Sequence, residues 1–168
     1  MKKYFAILLF FLASCKYSDK PKHYTGAIIN VDYPAYLSKT DRVYPGARFQ
    51  IHNQYRDVYF VAQDYEPNTD SLYVYRLQDS LVTLAMAQMR EPLLESKRNY
   101  MLPKGYRACE TIFTGTIDAG DESKRLRYIF TTIDAPKHVI HTAGWFFNSK
   151  KDLWEKDIKY INNNISIH

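Results

Sequence analysis

The spacing of apolar and polar positions divides this chain into a leading apolar run and a long β-patterned stretch with two helical segments. Seven stretches alternate or run apolar between turn signals and predict strands: Thr25 to Val31, Phe49 to Tyr55, Val58 to Asp64, Leu72 to Leu77, Thr111 to Asp118, Leu126 to Asp134 and His138 to Phe147. Three polar clusters read as their turns: Glu66-Pro67-Asn68-Thr69-Asp70, Ala119-Gly120-Asp121-Glu122-Ser123 and Asp134-Ala135-Pro136-Lys137. The last three strands then form a meander. Alternation in its middle strand places Leu126, Tyr128 and Phe130 on one face and Arg125, Arg127 and Ile129 on the other, one face buried and the other partly wet.

Two segments carry helical patterns. Ser80 to Arg90 is rich in helix formers, with Asp79 or Ser80 available as a cap and Pro92 just past its end. Near the C-terminus Ser149 stands three residues before Asp152, a variant capping box, and Leu153, Trp154, Ile158, Ile161 and Ile165 follow at helical spacing. Asn162-Asn163-Asn164 is the expected fraying point. The expected fold is mainly β: an antiparallel sandwich of about seven strands with one or two packed helices. The fifteen tyrosines and nine phenylalanines favour the same class.

The first fourteen residues have the parts of an export signal: Lys2 and Lys3, the nine-residue apolar run Tyr4 to Leu12, then Ala13 and Ser14. A membrane-spanning helix needs roughly 20 apolar residues, so the run is an address and not a span. The tetrad Leu12-Ala13-Ser14-Cys15 resembles the lipobox of bacterial lipoproteins. The resemblance implies cleavage before Cys15, a diacylglycerol on its thiol and usually a further palmitate-like acyl chain on the new amine, enough for stable anchoring in the bilayer. Lys16 stands where that family's inner-membrane retention signal is an aspartate, which implies the outer membrane. The expected organisation is a signal peptide over 1–14, a lipidated tether over 15–23 and one envelope domain over 24–168.

Charge and cysteine count narrow the function. Removing Lys2 and Lys3 with the signal leaves about 21 basic against 18 acidic side chains, scattered along the chain, which is no nucleic-acid footprint. With Cys15 acylated, Cys109 is the one remaining thiol and reads as a small buried residue. His138 and His141 would point to opposite faces of a strand and so cannot converge on one metal. Asp118, Asp121 and Glu122 lack EF-hand spacing. No P-loop, G-x-G-x-x-G or G-x-S-x-G occurs. No catalytic residue, metal site or cofactor is therefore assigned. The aromatics Tyr73, Tyr75 and Trp145 are the candidate ligand or partner surface, since exposed rings stack on sugars or anchor interfaces.

A second resemblance rests on Leu72-Tyr73-Val74-Tyr75-Arg76-Leu77-Gln78-Asp79 and Leu102-Pro103-Lys104-Gly105. These look like a strand and a turn of the outer-membrane lipoprotein of type VI secretion systems. That likeness implies a domain without an active site that binds another envelope protein through its loops. The expected function is a non-enzymatic structural or partner-binding component of an outer-membrane assembly such as a secretion apparatus. The alternatives are a lipoprotein that binds a glycan or small ligand, and an envelope hydrolase.

Overall fold

The structure, a computed structural model, describes residues 20–168 apart from Thr69, Ser71 and Asp121. The expected signal peptide, Cys15 and most of the expected tether lie outside the described residues. Ten strands and two α-helices are assigned among those residues, and the fold is mainly β. A short sheet joins β1 (Lys22–Thr25), β2 (Ile29–Tyr33) and β10 (Ser166–Ile167). The main sheet has seven antiparallel strands in the order β3-β4-β5-β9-β8-β7-β6: β3 (Ser38–Lys39), β4 (Phe49–Asn53), β5 (Val58–Tyr65), β6 (Arg90–Met101), β7 (Arg107–Ala119), β8 (Glu122–Ala135) and β9 (His138–Phe147). The helices are α1 (Tyr73–Met86) and α2 (Lys151–Asn163).

Tight turns set the order β9-β8-β7-β6. Ala119 pairs with Glu122 and Ala135 with His138, so each of these hairpins closes in two residues. Pro136 sits in the second turn, where its missing amide costs the ladder nothing. Gly120 and Gly105 take positive φ of 64° and 83°, which the turns after β7 and β6 require. The expected meander and the Leu102-Pro103-Lys104-Gly105 turn are both in place. β5 pairs with β9 instead of with the strand that follows it, so the chain must cross the sheet between β5 and β6, and α1 is that crossing.

Four sequence expectations change. Leu72 to Leu77 is no strand: Tyr73 opens α1, which also starts earlier than Ser80. Val74, Gln78 and Val82 are its buried positions, four apart, and this helical stripe outweighs the local β-forming composition. The strand on which the second resemblance rests is accordingly absent. Thr25 to Val31 straddles a hairpin, with Gly26 donating its amide to the Ile29 carbonyl, so two short strands replace one. Lys22 and His23, assigned to the tether, pair with Tyr33 and Asp32 in β1. β6 was unforeseen: nearly all of its residues are exposed, so no alternation marks it, and its described pairing is to β7 alone. Pro92 lies within it, at a register shift between Arg90 and Leu93, where Glu91 has φ of 49°.

The main core lies on one face of the large sheet. Phe49, Ile51, Phe60, Ile129, Ile133, Ile140 and Phe146 pack there against β2 and against Trp154, Ile158 and Ile161 of α2. The expected C-terminal stripe is thus confirmed except at Leu153, which is exposed. No side chain caps α2, so the Ser149–Asp152 box is not formed. Asn162 anchors the helix end instead of fraying: its amide donates to Thr131 Oγ1 at 3.0 Å and its carbonyl accepts from Thr142 Oγ1 at 2.9 Å. Gly144 lets α2 approach, because a Cβ there would meet Ile158 at 2.6 Å.

Candidate functional site

The opposite face of the large sheet is built from cross-strand rows. Tyr59, Trp145, Tyr128 and Phe113 stand in register on β5, β9, β8 and β7. Val61, Ala143 and Phe130 form the next row, and Gln63, His141 and Thr132 the one after. Since side chains alternate with a period of two, these rows share one face. α1 covers β7 and β8 here. Its Val82 packs with Phe113 and Phe130, and Met89, just after it, fills the space over Gly115. β5 and β9 extend past the helix, and what lies over them is a cleft of about 460 Å³.

Each wall of the cleft has an identifiable cause. The floor is Val61, Ala143 and Phe130, and the small side chain of Ala143 between two larger ones makes the depression. Leu81, Leu84, Ala85 and Gln88 of α1 form one lip. Tyr44 forms the other, held by Gln50: Oε1 accepts from the Val43 and Tyr44 amides at 3.0 and 2.8 Å, and Nε2 donates to the Tyr44 carbonyl at 2.7 Å. One end is aromatic. Trp145 stacks on Tyr59 with centroids 5.4 Å apart and planes 12° from parallel, and on Tyr128 at 6.4 Å and 20°. Burial pushes the Tyr128 hydroxyl up to about 12, so it stays protonated.

The other end is polar and centres on His141, of which 3% is exposed. Its Nδ1 lies 3.0 Å from Thr132 Oγ1, which lies 2.6 Å from Gln78 Oε1, and Gln78 Nε2 donates to the Phe130 carbonyl at 3.0 Å. The order of donors is forced. The Phe130 carbonyl can only accept, which fixes the Gln78 amide. Gln78 Oε1 must then accept from Thr132, and the spent hydroxyl must accept from Nδ1–H of His141. The ring is therefore the Nδ1–H tautomer with a lone pair on Nε2. Desolvation pulls the His141 pKa down to about 3, so it is neutral at physiological pH. Phe130 packs edge-on against its ring, centroids 5.0 Å apart.

Of the aromatics singled out in the sequence, Trp145 is at the cleft. Tyr73 and Tyr75 are on α1, where two residues turn a helix by about 200° and so do not share a face. Tyr75 sits beside Arg107 and Asp134, away from the cleft. Tyr128 and Phe130 do share a face, and Tyr128 is half-buried at the open cleft. The Arg127–Ile129 face, expected to be the wetter one, is buried. Arg127 is enclosed between Glu95 Oε2 at 2.5 Å and Glu155 Oε2 at 2.9 Å, and Ile129 is in the main core. Gln50, Gln78, Thr132 and Ala143 were missed. The period-two rows 59/61/63 and 141/143/145 were the available signal for the floor.

The remaining candidates have structural partners. His138 and His141 do fall on opposite faces, His138 pairing with Asp64 at 2.9 Å. Asp118 accepts from Arg90 at 2.8 Å and from Ser123 at 2.9 Å beside its hairpin turn. Cys109 is fully buried, and desolvation raises its pKa, as suits an inert thiol. Among the described residues no cluster of three or more His, Cys, Asp or Glu side chains could hold a metal ion, and no helix is long and apolar enough to cross a membrane.

No family model matches the sequence and no curated protein matches it. The fold is nonetheless shared with solved structures. The PsbP protein of the cyanobacterium Synechocystis (CyanoP) superposes with a TM-score of 0.64 at 14% identity, over 94% of this chain and 99% of that one. LpqN of Mycobacterium tuberculosis, involved in cell envelope biogenesis, matches with a TM-score of 0.59 at 12% identity, over 88% of this chain and 89% of its own. A Bacteroides thetaiotaomicron protein gives 0.59 at 9% identity over 89% of this chain and 48% of that one. At such identities the likeness is one of fold, and this chain has the fold seen in the cyanobacterial PsbP protein and in LpqN.

Proposed function

We propose that this chain is a lipoprotein of the cell envelope, held at the outer membrane by acyl chains on Cys15, whose globular part binds a ligand without transforming it. The tether is supported by the signal and lipobox pattern from Lys2 to Cys15. An envelope setting is also the setting of one protein that shares the fold. The binding role is carried by one observation, the cleft between α1 and the exposed parts of β5 and β9, whose size is typical of a small-ligand site. Its polar groups are amides, hydroxyls and a neutral imidazole. Burial lowers the His141 pKa and keeps the ring neutral, and no charged side chain is among the described lining of the cleft, which favours recognition over catalysis.

The tether is tested by labelling. Wild-type protein should incorporate labelled palmitate and fractionate with membranes, and Cys15→Ser should do neither. A Cys15→Ser protein still in the membrane fraction, with no label on wild type, removes the proposal. The binding role is tested with a neutral aromatic probe, 2-naphthol, titrated into the processed protein in lipid nanodiscs. Saturable shifts of the Ala143 and Trp145 amide resonances are expected, and Ala143→Leu, which fills the floor, should abolish them.

A protein partner is the second reading, and the observation favouring it is β6. Leu93, Leu94 and Met101 on this outermost strand are about half exposed. Two register shifts and Pro92 blunt its free edge against strand addition, so a partner would sit on these side chains. Co-purification of an envelope protein from gently solubilised membranes, lost in Leu93→Glu, would support this reading.

A further inference from the structure

The cleft does more than offer space, because its polar end is wired in one direction. Gln78, Thr132 and His141 form a chain that runs one way: one amide N–H to the Phe130 carbonyl, the hydroxyl to the amide oxygen, Nδ1–H to the hydroxyl. The chain ends at the lone pair on His141 Nε2, which has no hydrogen-bond partner among the described residues. His141 lines the cleft while almost wholly buried. Nε2 is not among the fully buried atoms that lack a partner, so water can meet it while the cleft is empty. A ligand that covers it without a donor would leave it unpaired at a cost of about 1–3 kcal/mol, so a ligand that carries a donor is favoured over one that does not.

The rest of the cleft restricts what can carry that donor. Every described side chain lining it is uncharged at neutral pH, so neither an anion nor a cation finds a counter-charge there for the hydration it would lose. The opposite end presents the stacked pair Trp145 and Tyr128, and the floor over Ala143 is apolar. A flat ring fits between such surfaces by offset stacking.

Resting on the reading of this cleft as a binding site, we infer that its ligand is a small, neutral, flat-ringed molecule bearing one N–H or O–H group, which donates to His141 Nε2 while the ring lies over Ala143 against Trp145. Charged aromatics are excluded by the same lining.

The test compares 2-naphthol, which has the donor, with 2-methoxynaphthalene, which lacks it. Both are titrated into the processed protein in nanodiscs, with empty nanodiscs as the partition blank. Wild type should bind the naphthol about tenfold more tightly, the value of one well-made buried hydrogen bond. In His141→Phe the two probes should bind alike. A measurement on wild type alone stands beside that variant: the ¹⁵N resonance of His141 Nε2 should start at the unprotonated position and move upfield on adding naphthol, with no such move for the ether. Equal affinities in wild type, or an Nε2 resonance indifferent to bound naphthol, would overturn the inference and leave the cleft as a site for apolar rings in general. If neither probe shifts Ala143 or Trp145, the inference and the binding role fall together.

Discussion

The two faces of the large sheet have the same materials and different finishes. Each carries one helix, and each helix approaches at a glycine of the sheet: Ile158 of α2 over Gly144, and Met89 after α1 over Gly115. Each helix is also pinned by one buried amide reaching β8, Asn162 to Thr131 and Gln78 to the Phe130 carbonyl. The difference lies in coverage. α2 has the short sheet beside it, so β2, β8 and β9 are all covered and the main core is closed. α1 lies over β7 and β8 with no companion element among the described residues, and the loop bearing Tyr44 closes only the far side. A closed face stabilises the fold, while an incompletely covered face keeps apolar and aromatic surface available for binding.

The comparison can be broken by substitutions that act on one face at a time. The largest effect is expected on the closed face: Ile158→Ala removes a fully buried side chain from between α2 and Gly144 and should cost about 2–5 kcal/mol in urea denaturation. A smaller loss, about 1–3 kcal/mol, is expected from Gln78→Ala, because the Thr132 hydroxyl and Phe130 carbonyl lose a buried partner. If Gln78→Ala were silent, α1 would not be held by that clamp.

Acid should report on the open face through His141. Its folded pKa, about 3, lies below the ordinary value of 6.5. Between those values the unfolded chain binds a proton that the folded protein refuses, so this group's contribution to stability is intact above pH 6.5 and declines as pH falls toward 3. The slope is at most about 1.4 kcal/mol per pH unit. Paired denaturation curves at pH 7.5 and 5.5 should show wild type losing more stability than His141→Phe. An equal loss would mean that His141 titrates freely.

What was legible in the sequence follows the same division. The strands β4, β5, β7, β8 and β9 each bury side chains in a periodic pattern, and the sequence shows it. The stripe of α2 was equally plain, because Trp154, Ile158 and Ile161 are apolar where the helix meets the core. α1 was half hidden: its buried stripe passes through Gln78, a polar residue whose burial makes sense only beside Thr132 and Phe130, more than fifty residues away. Tyr73, Val74 and Tyr75 meanwhile favour a strand locally. β6 was invisible because its described hold on the sheet is backbone pairing with β7, which leaves its side chains free to be charged. Trp145 was the part of the cleft that could be singled out from sequence. The depression at Ala143 and the donor order ending at His141 Nε2 exist only once β5, β8, β9 and α1 are assembled.

Ala143 and Gly144 are neighbours on β9 that point to opposite faces, and urea denaturation of Gly144→Ala beside Ala143→Leu tests the contrast most directly. Gly144→Ala drives a methyl into Ile158 and should lose about 1–3 kcal/mol, whereas Ala143→Leu grows into open cleft and should stay within about 1 kcal/mol of wild type. An Ala143→Leu variant as unstable as Gly144→Ala would mean that the α1 face is packed shut and holds no site.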